Sequence, residues 1–570
     1  MSARKKRWVL RGPAPAEFIA SLRDRSPVVA TLLYQRDLRD QRSIATFLSP
    51  DYKSGLHDPF LMKGMDAAAR RIAAAIAEGE PIAVYGDFDT DGVTAVTLLM
   101  QAIGSMGGDI RPYIPHRLRE GYGLNDEAVD QLAAEGVRLL VTVDCGISNT
   151  REVAHAQASG IDVIVTDHHT PPAALPEAYA IVNPKQPGCE YPYKQLVGVG
   201  IAYKLVQALA RLGLKMPLRG RDLLDVVALG TVTDMGPLNG ENRVLVKAGL
   251  ESINSTQRPG LKALIVAAGL IQGKVTSGDI SFMLGPRLNA AGRLDDAIMA
   301  YKLLLADDFG AAQQLAAELN QANRQRQELT KETQIAAREH IEQLGKQGNR
   351  IIVLDGEGYP AGLVGLVAAK LVEELGRPVL MLERGAETSR GSARSVPGFN
   401  IIDALVACED LFVRYGGHSA AAGFTIANDR LPELERRLLA YAESNLPDDQ
   451  LMPALDIDAE LPLGALSWEL LEQIAVLEPF GQANPQPVLT SRRVRVSGAW
   501  PRGVDGQHLK LRLDDGDGGP SYEAIAFRLG KLAEHFQRPR FIDIAYTLEA
   551  NEWNGSRTLQ LNIKDLRQPQ

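Results

Sequence analysis

Three short runs of branched apolar residues, each followed at once by acids or imidazoles, constrain this chain more than any other feature. Ile82-Ala83-Val84-Tyr85 runs into Asp87, Asp89 and Asp91, and Leu139-Leu140-Val141-Thr142-Val143 into Asp144. Val163-Ile164-Val165-Thr166 runs into Asp167, His168 and His169. A fourth apolar run, Val226-Val227-Ala228-Leu229, is grouped with these and leads on to Asp234. Runs of this length bounded by turn residues suit buried strands. Helix-length segments separate them: an Ala-rich stretch over 66–79 stopped by Gly79, a helix from Thr94 to Ile103, one from Asp126 to Ala134, and one from Arg151 to Ala158 before Gly160. The alternation predicts a parallel sheet with helices on both faces. Such sheets bind ligands beyond the carboxyl ends of their strands, where these acids and imidazoles fall.

Within Gly86-Asp87-Phe88-Asp89-Thr90-Asp91-Gly92 the carboxylates recur at every second residue. In an extended segment they share one face, and without a cation they repel one another strongly. A solvated acidic turn is the plain alternative. An EF-hand calcium loop is another, but it needs a glutamate at its twelfth position. Counted from Asp87 that position is Leu98, and a strand rather than a helix comes before the loop. Mixed oxygen and imidazole ligands suit a pair of divalent cations, and such a pair is a standard means of activating water against phosphorus. One of His168 and His169 suits ligation and the other suits a substrate phosphate, with Asp167 orienting a ring. The expected chemistry is metal-dependent hydrolysis.

At 570 residues the chain is too long for a single core. Its net charge of −8 does not exclude nucleic acid as a substrate, because binding needs only a local basic patch. Cys145, Cys189 and Cys408 are too few and too scattered for a disulfide framework or a zinc knuckle, so a reducing cytoplasm is expected. Met1 to Val9 is basic but lacks the apolar core of a signal peptide, and no apolar stretch is long enough for a membrane span. The expected organisation is an N-terminal extension over 1–55 with its own short helices and a small strand at Trp8-Val9-Leu10, an α/β catalytic domain over 56–300, a helical connector over 301–345, a second α/β domain over 346–450 and a small antiparallel β domain over 451–570. In that last part, residues 491–512 carry Arg492, Arg493, Arg495, Arg502, Lys510 and Arg512 against one acid, Asp505, with Trp500 and His508 interleaved. This composition suits a single-strand platform using Arg492, Arg495, Trp500 and Lys510; a solvated basic face is the alternative.

Gly-Asp-Phe-Asp-Thr-Asp-Gly at 86–92, Val-Asp-Cys-Gly at 143–146 and Asp-His-His at 167–169 resemble the DHH phosphoesterase superfamily, and Gly-Gly-His-Ser-Ala-Ala-Ala-Gly-Phe at 416–424 resembles its associated C-terminal domain. Stretches 198–202, 228–234, 285–293 and 477–481 extend the likeness to the superfamily's bacterial branch of single-strand-specific DNA exonucleases, over residues 50–565. The resemblance implies an α/β fold with a parallel-sheet catalytic domain, a second α/β domain joined by a long helix, and an OB-like β-barrel. It implies two manganese or magnesium ions among Asp87, Asp89, Asp91, Asp144, His168 and Asp234, with Asp144 bridging and Asp87 either ligating or one step removed. His169 then contacts the scissile phosphate, so the catalytic set is Asp89, Asp91, Asp144, His168 and His169. Arg287, Ser392 and Arg394, joined by Arg117, match a terminal-phosphate pocket. Guanidinium forks with a hydroxyl suit a phosphate dianion; weak surface ion pairs are the alternative. Gly416 and Gly417 allow backbone N–H groups close to a phosphate, and His418 either contacts the nucleotide or is a buried structural residue.

The resemblance further implies 5′-to-3′ hydrolysis of single-stranded DNA to mononucleotides in DNA repair and recombination, by a monomer working with a single-strand-binding protein and a helicase. One departure is Tyr359-Pro360-Ala361-Gly362-Leu363-Val364-Gly365, where the superfamily often has histidine first; tyrosine keeps an aromatic face and a hydrogen-bonding tip. The rivals are an oligoribonuclease or nucleotide phosphodiesterase of the same superfamily, usually smaller, and a non-catalytic single-strand-binding replication scaffold. No ligand position is lost here, which argues against the scaffold.

Overall fold

The computed structural model describes residues 6–569 apart from 118, 295, 449, 450, 517, 537, 539 and 554. The first five residues of the basic start, and residues 118 and 517, lie outside the described residues.

Five parallel strands form the first sheet, in the spatial order Ile110–Tyr113, Ile82–Gly86, Leu139–Val143, Asp162–Thr166, Ala180–Val182. Alternate side chains enter two different cores. Ile82, Val84, Leu139, Val141, Val143 and Ile164 pack with Ile72, Leu98, Leu99 and Leu205 on one face. Ala83, Tyr85, Leu140, Val163 and Val165 pack with Val129, Leu132 and Val153 on the other. Both faces are covered, so the strands read as unbroken apolar runs. In chain order the strands lie second, first, third, fourth, fifth. The order reverses between Ile82–Gly86 and Leu139–Val143, and a crevice at such a reversal is where doubly wound sheets hold ligands.

Two local expectations change. The fourth apolar run is not a strand but the helix Leu224–Thr233, buried from Leu224 to Val232, with Asp234 as its C-cap. A helix apolar on all sides carries no period that separates it from a buried strand. The acidic segment is not extended either. Asp89 N-caps the helix Thr90–Ser105, accepting hydrogen bonds from the Asp91 and Gly92 N–H groups at 2.8 and 3.2 Å. The helix therefore starts four residues before Thr94, because a carboxylate at the cap satisfies its free N–H groups.

A 35-residue helix, Phe309–Gln343, leads to a second sheet. Its strands run Phe412–His418, Ala421–Ala427, Thr388–Arg394, Val379–Arg384, Ile352–Gly356, and only the last pair is parallel. The third unit is a closed five-stranded barrel: Leu489–Arg502, His508–Asp514, Tyr522–Ala526, Ser556–Arg567 and Arg540–Trp553, which pairs back with the first. The N-terminal segment is built into this unit rather than extending from the chain. Arg7–Leu10 pairs in parallel with Ala454–Ile457, and Val29, Leu32, Leu33 and Ile44 share one core with Leu470, Leu509 and Ile544. Among the described residues, no helix is long and apolar enough to cross a membrane.

Candidate metal centre and phosphate cleft

The ends of three adjacent strands and two helix termini bring the predicted ligands together. Asp87, Asp89 and Asp144 offer atoms within 4.8 Å of one another, as do Asp91, His168 and Asp234, and as do Asp144, His168 and His169. Asp144 and His168 each belong to two of these groups. His168 Nε2 lies 3.0 Å from Asp144 Oδ1, 3.7 Å from Asp234 Oδ2 and 3.9 Å from Asp91 Oδ2. Asp91 is anchored at the start of the helix Gly198–Arg211: its oxygens accept the Gly198 and Val199 N–H groups at 2.6 and 2.8 Å. Gly198 permits that approach, since a Cβ there would stand 2.6 Å from Asp144 Cβ and 2.9 Å from Asp91 Oδ2.

Three buried atoms in this cluster have no hydrogen-bond partner among the described residues: Asp87 Oδ1, Asp144 Oδ1 and His168 Nε2. Buried polar atoms are nearly always satisfied, and these three belong to the predicted ligand set. Burial, reinforced by neighbouring carboxylates, pushes Asp87, Asp144 and Asp234 well above the usual carboxylate range and Asp91 up to about 7. Burial and then His169 push His168 down to about 3, which keeps it in the neutral form that binds metals. The donors fit a pair of divalent cations, whose charge offsets this repulsion.

Asp167 plays a different part. One oxygen accepts the His168 N–H at 2.7 Å, the His169 N–H at 3.0 Å and His169 Nδ1 at 2.8 Å; the other accepts the Ile147 N–H at 3.0 Å. Burial pushes this carboxylate up, but the bonds and charge of His169 outweigh it and hold it below the usual range. Burial likewise lowers His169, and Asp167 more than reverses that. With Nδ1 engaged, His169 presents Nε2. The Tyr122 hydroxyl stands 3.3 Å from His169 Nδ1 and donates to the Asp144 carbonyl at 3.3 Å.

Beside the carboxylates lies a cluster of guanidinium groups drawn from both α/β units and the long helix. Arg117 sits 4.8 Å over the Phe88 ring. Burial lowers Arg117, Arg293, Arg326 and Arg394, and mutual repulsion adds to it: Arg117 acts on Arg293 and Arg394, and Arg326 on Arg293, which falls to about 9. None of the four forms an ion pair among the described residues. Arg394 Nη1 donates to Ser392 Oγ at 2.9 Å, and Gly365 lies against both, a Cβ there being within 2.9 Å of each side chain. Arg287 stands next to Arg326 but gives Nε to Asn320 and Nη1 to the Met283 carbonyl, at 3.1 and 2.6 Å.

His418 ends the exposed strand Phe412–His418, so it is not a buried structural residue. Partial burial, then the charges of His169 and Lys185, lower it, so this strand end lies within reach of His169. Gly417 has φ +150°, and a Cβ there would lie 2.4 Å from the Ala421 carbonyl oxygen; Gly416 is open to solvent. Tyr359 packs in a core with Ile352, Leu354 and Val367, its hydroxyl 3.0 Å from His340 Nδ1. On the barrel, three of the six cations of the basic run are neutralised in place: Arg492 pairs with Glu460 at 2.7 Å, Arg495 with Asp514 at 2.6 Å and Lys510 with Glu523 at 2.9 Å. Trp500 is 37% exposed, with Arg512 5.7 Å from its ring.

Sequence reasoning missed Tyr122, Lys185, Arg293 and Arg326. Tyr122 lies five residues after Arg117, and Arg293 ends the stretch 285–293 already singled out. Lys185 follows an ordinary Asn-Pro pair, and Arg326 sits in a polar helix rich in similar residues, so neither carried a signal.

Residues 81–231 match the DHH family N-terminal domain, 348–445 the DHHA1 domain and 457–565 the RecJ OB domain. Fold and site together thus define a DHH-class protein with its associated domain and an OB barrel. Two curated relatives, both named single-stranded-DNA-specific exonuclease RecJ, cover nearly all of the chain. The Bacillus subtilis protein is 37% identical over 99% of this chain and 71% of its own length; that of Dickeya dadantii is 36% identical over 96% and 97%. A crystal structure of RecJ in complex with Mn2+ from Thermus thermophilus superposes with a TM-score of 0.83 at 34% identity, covering 99% of this chain and 80% of that one. The chain belongs to the RecJ family.

Proposed function

We propose that this protein is a metal-dependent 5′-to-3′ exonuclease that hydrolyses single-stranded DNA to mononucleotides in DNA repair and recombination. The observation that carries the reading is the set of buried, unpartnered atoms on Asp87, Asp144 and His168, clustered with Asp89, Asp91 and Asp234 at the sheet's reversal point. In this reading Asp87, Asp89 and Asp144 would hold one Mn2+ or Mg2+ ion and Asp91, His168 and Asp234 the other, with Asp144 also grouped with His168. When bound, the two ions polarise the phosphoryl oxygens and make a water nucleophilic at neutral pH.

The chain's own residues do the rest. Asp167 fixes the His169 ring and favours its protonated form, so that Nε2–H faces the scissile phosphate and donates to a non-bridging oxygen as charge builds there. Arg394 and Ser392, with Arg117, Arg293 and Arg326, bind the 5′-terminal phosphate, which sets polarity and makes the product a single nucleotide. Arg287 backs this pocket. His418 and the backbone at Gly416 and Gly417 steady the strand from the opposite wall, and the barrel's Trp500, with Arg512 beside its ring, receives the strand beyond. A narrow passage between the two α/β units excludes duplex. The protein acts as a monomer in the cytoplasm, alongside a single-strand-binding protein and a helicase.

The test is manganese-dependent release of labelled nucleotide from 5′-end-labelled single strands, beside the Asp144→Ala variant. The reading predicts labelled mononucleotide from the wild type and almost none from the variant. Equal rates on blunt duplex, or release of internal fragments before the end label, would contradict it.

A further inference from the structure

Among the described residues Arg243 is the largest fully buried side chain, 1% exposed, and no acid pairs with it. Its guanidinium is satisfied by backbone carbonyls alone. Nε donates to Phe47 at 2.7 Å, Nη1 to Pro479 at 3.3 Å, and Nη2 to Leu477 at 2.9 Å and Glu478 at 2.7 Å. Its carbon Cζ lies 3.8 Å from the centre of the Phe47 ring. Burial, then repulsion from Arg36, pulls its pKa down to about 10. An unpaired buried cation is costly unless fully hydrogen-bonded, so these carbonyls and this side chain depend on each other.

All four carbonyls belong to the N-terminal and barrel unit, whereas Arg243 belongs to the catalytic unit. It lies on the helix Gly240–Asn254, which follows Asp234 after a short loop. That loop touches the barrel unit as well: the Leu238 N–H donates to the Gln482 carbonyl at 2.7 Å. Ser277 Oγ donates to the Phe480 carbonyl at 2.7 Å and Lys247 Nζ to the Leu48 carbonyl at 2.8 Å. The receiving bend is braced from behind. Asn484 Nδ2 donates to the Leu477 and Pro479 carbonyls, both at 2.8 Å, and Arg36 Nε holds Asn484 Oδ1 at 2.8 Å. One short stretch of chain, 234–243, thus bears both a candidate metal ligand and the plug that seats the barrel.

We propose that Arg243 is a positioning residue that holds the barrel in register with the metal centre, so that a strand lying on the barrel delivers its 5′ end to the carboxylate cluster. The inference rests on the exonuclease reading above. It assigns Arg243 no contact with DNA. Its loss leaves the chemistry of a minimal substrate intact and weakens the joint use of barrel and cleft, which behave as two linked binding modules.

The test compares a 5′-phosphorylated dinucleotide, too short to reach the barrel, with a long single strand. For Arg243→Ala the expected result is a dinucleotide kcat within about twofold of wild type and a long-strand KM raised about tenfold or more. Arg243→Lys, which keeps the charge but reaches fewer carbonyls, falls between and serves as the readout if the alanine variant does not fold. Amide hydrogen exchange at residues 477–482 rises in the same order. Equal loss on both substrates, or an unchanged long-strand KM with unchanged exchange, overturns the proposal. If the wild type cleaves neither substrate, the exonuclease reading fails instead, and the exchange data alone decide whether Arg243 seats the barrel.

Discussion

The carboxylate cluster and the basic run on the barrel both looked charged and functional, yet they are built in opposite ways. In the cluster, like charges converge in a buried space and key atoms of Asp87, Asp144 and His168 lack hydrogen-bond partners among the described residues. On the barrel, Arg492, Arg495 and Lys510 each have an acid within 2.9 Å on a neighbouring strand. An uncompensated buried charge needs something from outside the chain, whereas a paired surface charge is close to neutral in energy. The guanidinium cleft resembles the first case with the sign reversed: four partly buried cations without an ion pair among the described residues, next to the carboxylates. Opposite unpaired charges side by side fit cations on one side and phosphate on the other.

Substitutions can break or sharpen this contrast. Asp144→Ala, which removes the residue shared by two ligand groups, is expected to lower kcat by about 10³-fold or more; a steady-state nucleotide-release assay reads it. Asp167→Asn keeps size but weakens its grip on His169 and the backbone, so activity drops about 10–100-fold in the same assay. Arg394→Ala should cut the preference for 5′-phosphate over 5′-hydroxyl ends by about tenfold, read by competing the two ends in one reaction.

A thermal melt probes the same repulsion without turnover. Asp91 is raised from 3.8 to about 7, and Asp87, Asp144 and Asp234 are raised as well. A raised carboxyl stabilises the folded protein fully below its unfolded value, and that contribution is lost as pH rises through the folded value. The metal-free protein is therefore expected to lose several degrees of Tm between about pH 4 and 7, and added Mn2+ should restore most at the upper end. The smallest effect belongs to the barrel: Arg492→Ala should change single-strand affinity by less than about twofold. If it costs as much as Arg394→Ala, the contrast between paired and unpaired charge is wrong.

The catalytic sheet was legible because its strands are buried on both faces and their ends carry unlike chemistry from the apolar runs. Asp87, Asp89, Asp144 and His168 could be placed from that alone. Asp234 lies near Asp91 and His168 from the C-cap of a helix rather than from a strand end, and that helix was illegible because Leu224–Val232 is buried all round and shows no helical period. The guanidinium partners were half legible. Arg394 and Arg117 were marked by the family resemblance, whereas Arg326 became special only when the long helix brought it beside Arg293 and Arg287. The barrel's pairing of Arg492 with Glu460 was invisible, because it depends on the parallel register of residues 459–460 with 489–490. The docking of residues 6–50 onto the barrel depends on contacts more than 400 residues apart in sequence, such as Arg7 with Ala454, which no local pattern encodes.

The most direct test of the central claim is a calorimetric titration of Mn2+ into the metal-free protein and into Asp144→Asn at neutral pH. Convergence of Asp87, Asp89, Asp91, Asp144, His168 and Asp234 on a shared pair of ions predicts two bound ions in the wild type and weakened binding of both in the variant. A single ion in the wild type, or two ions held equally well without the Asp144 carboxylate, would contradict it.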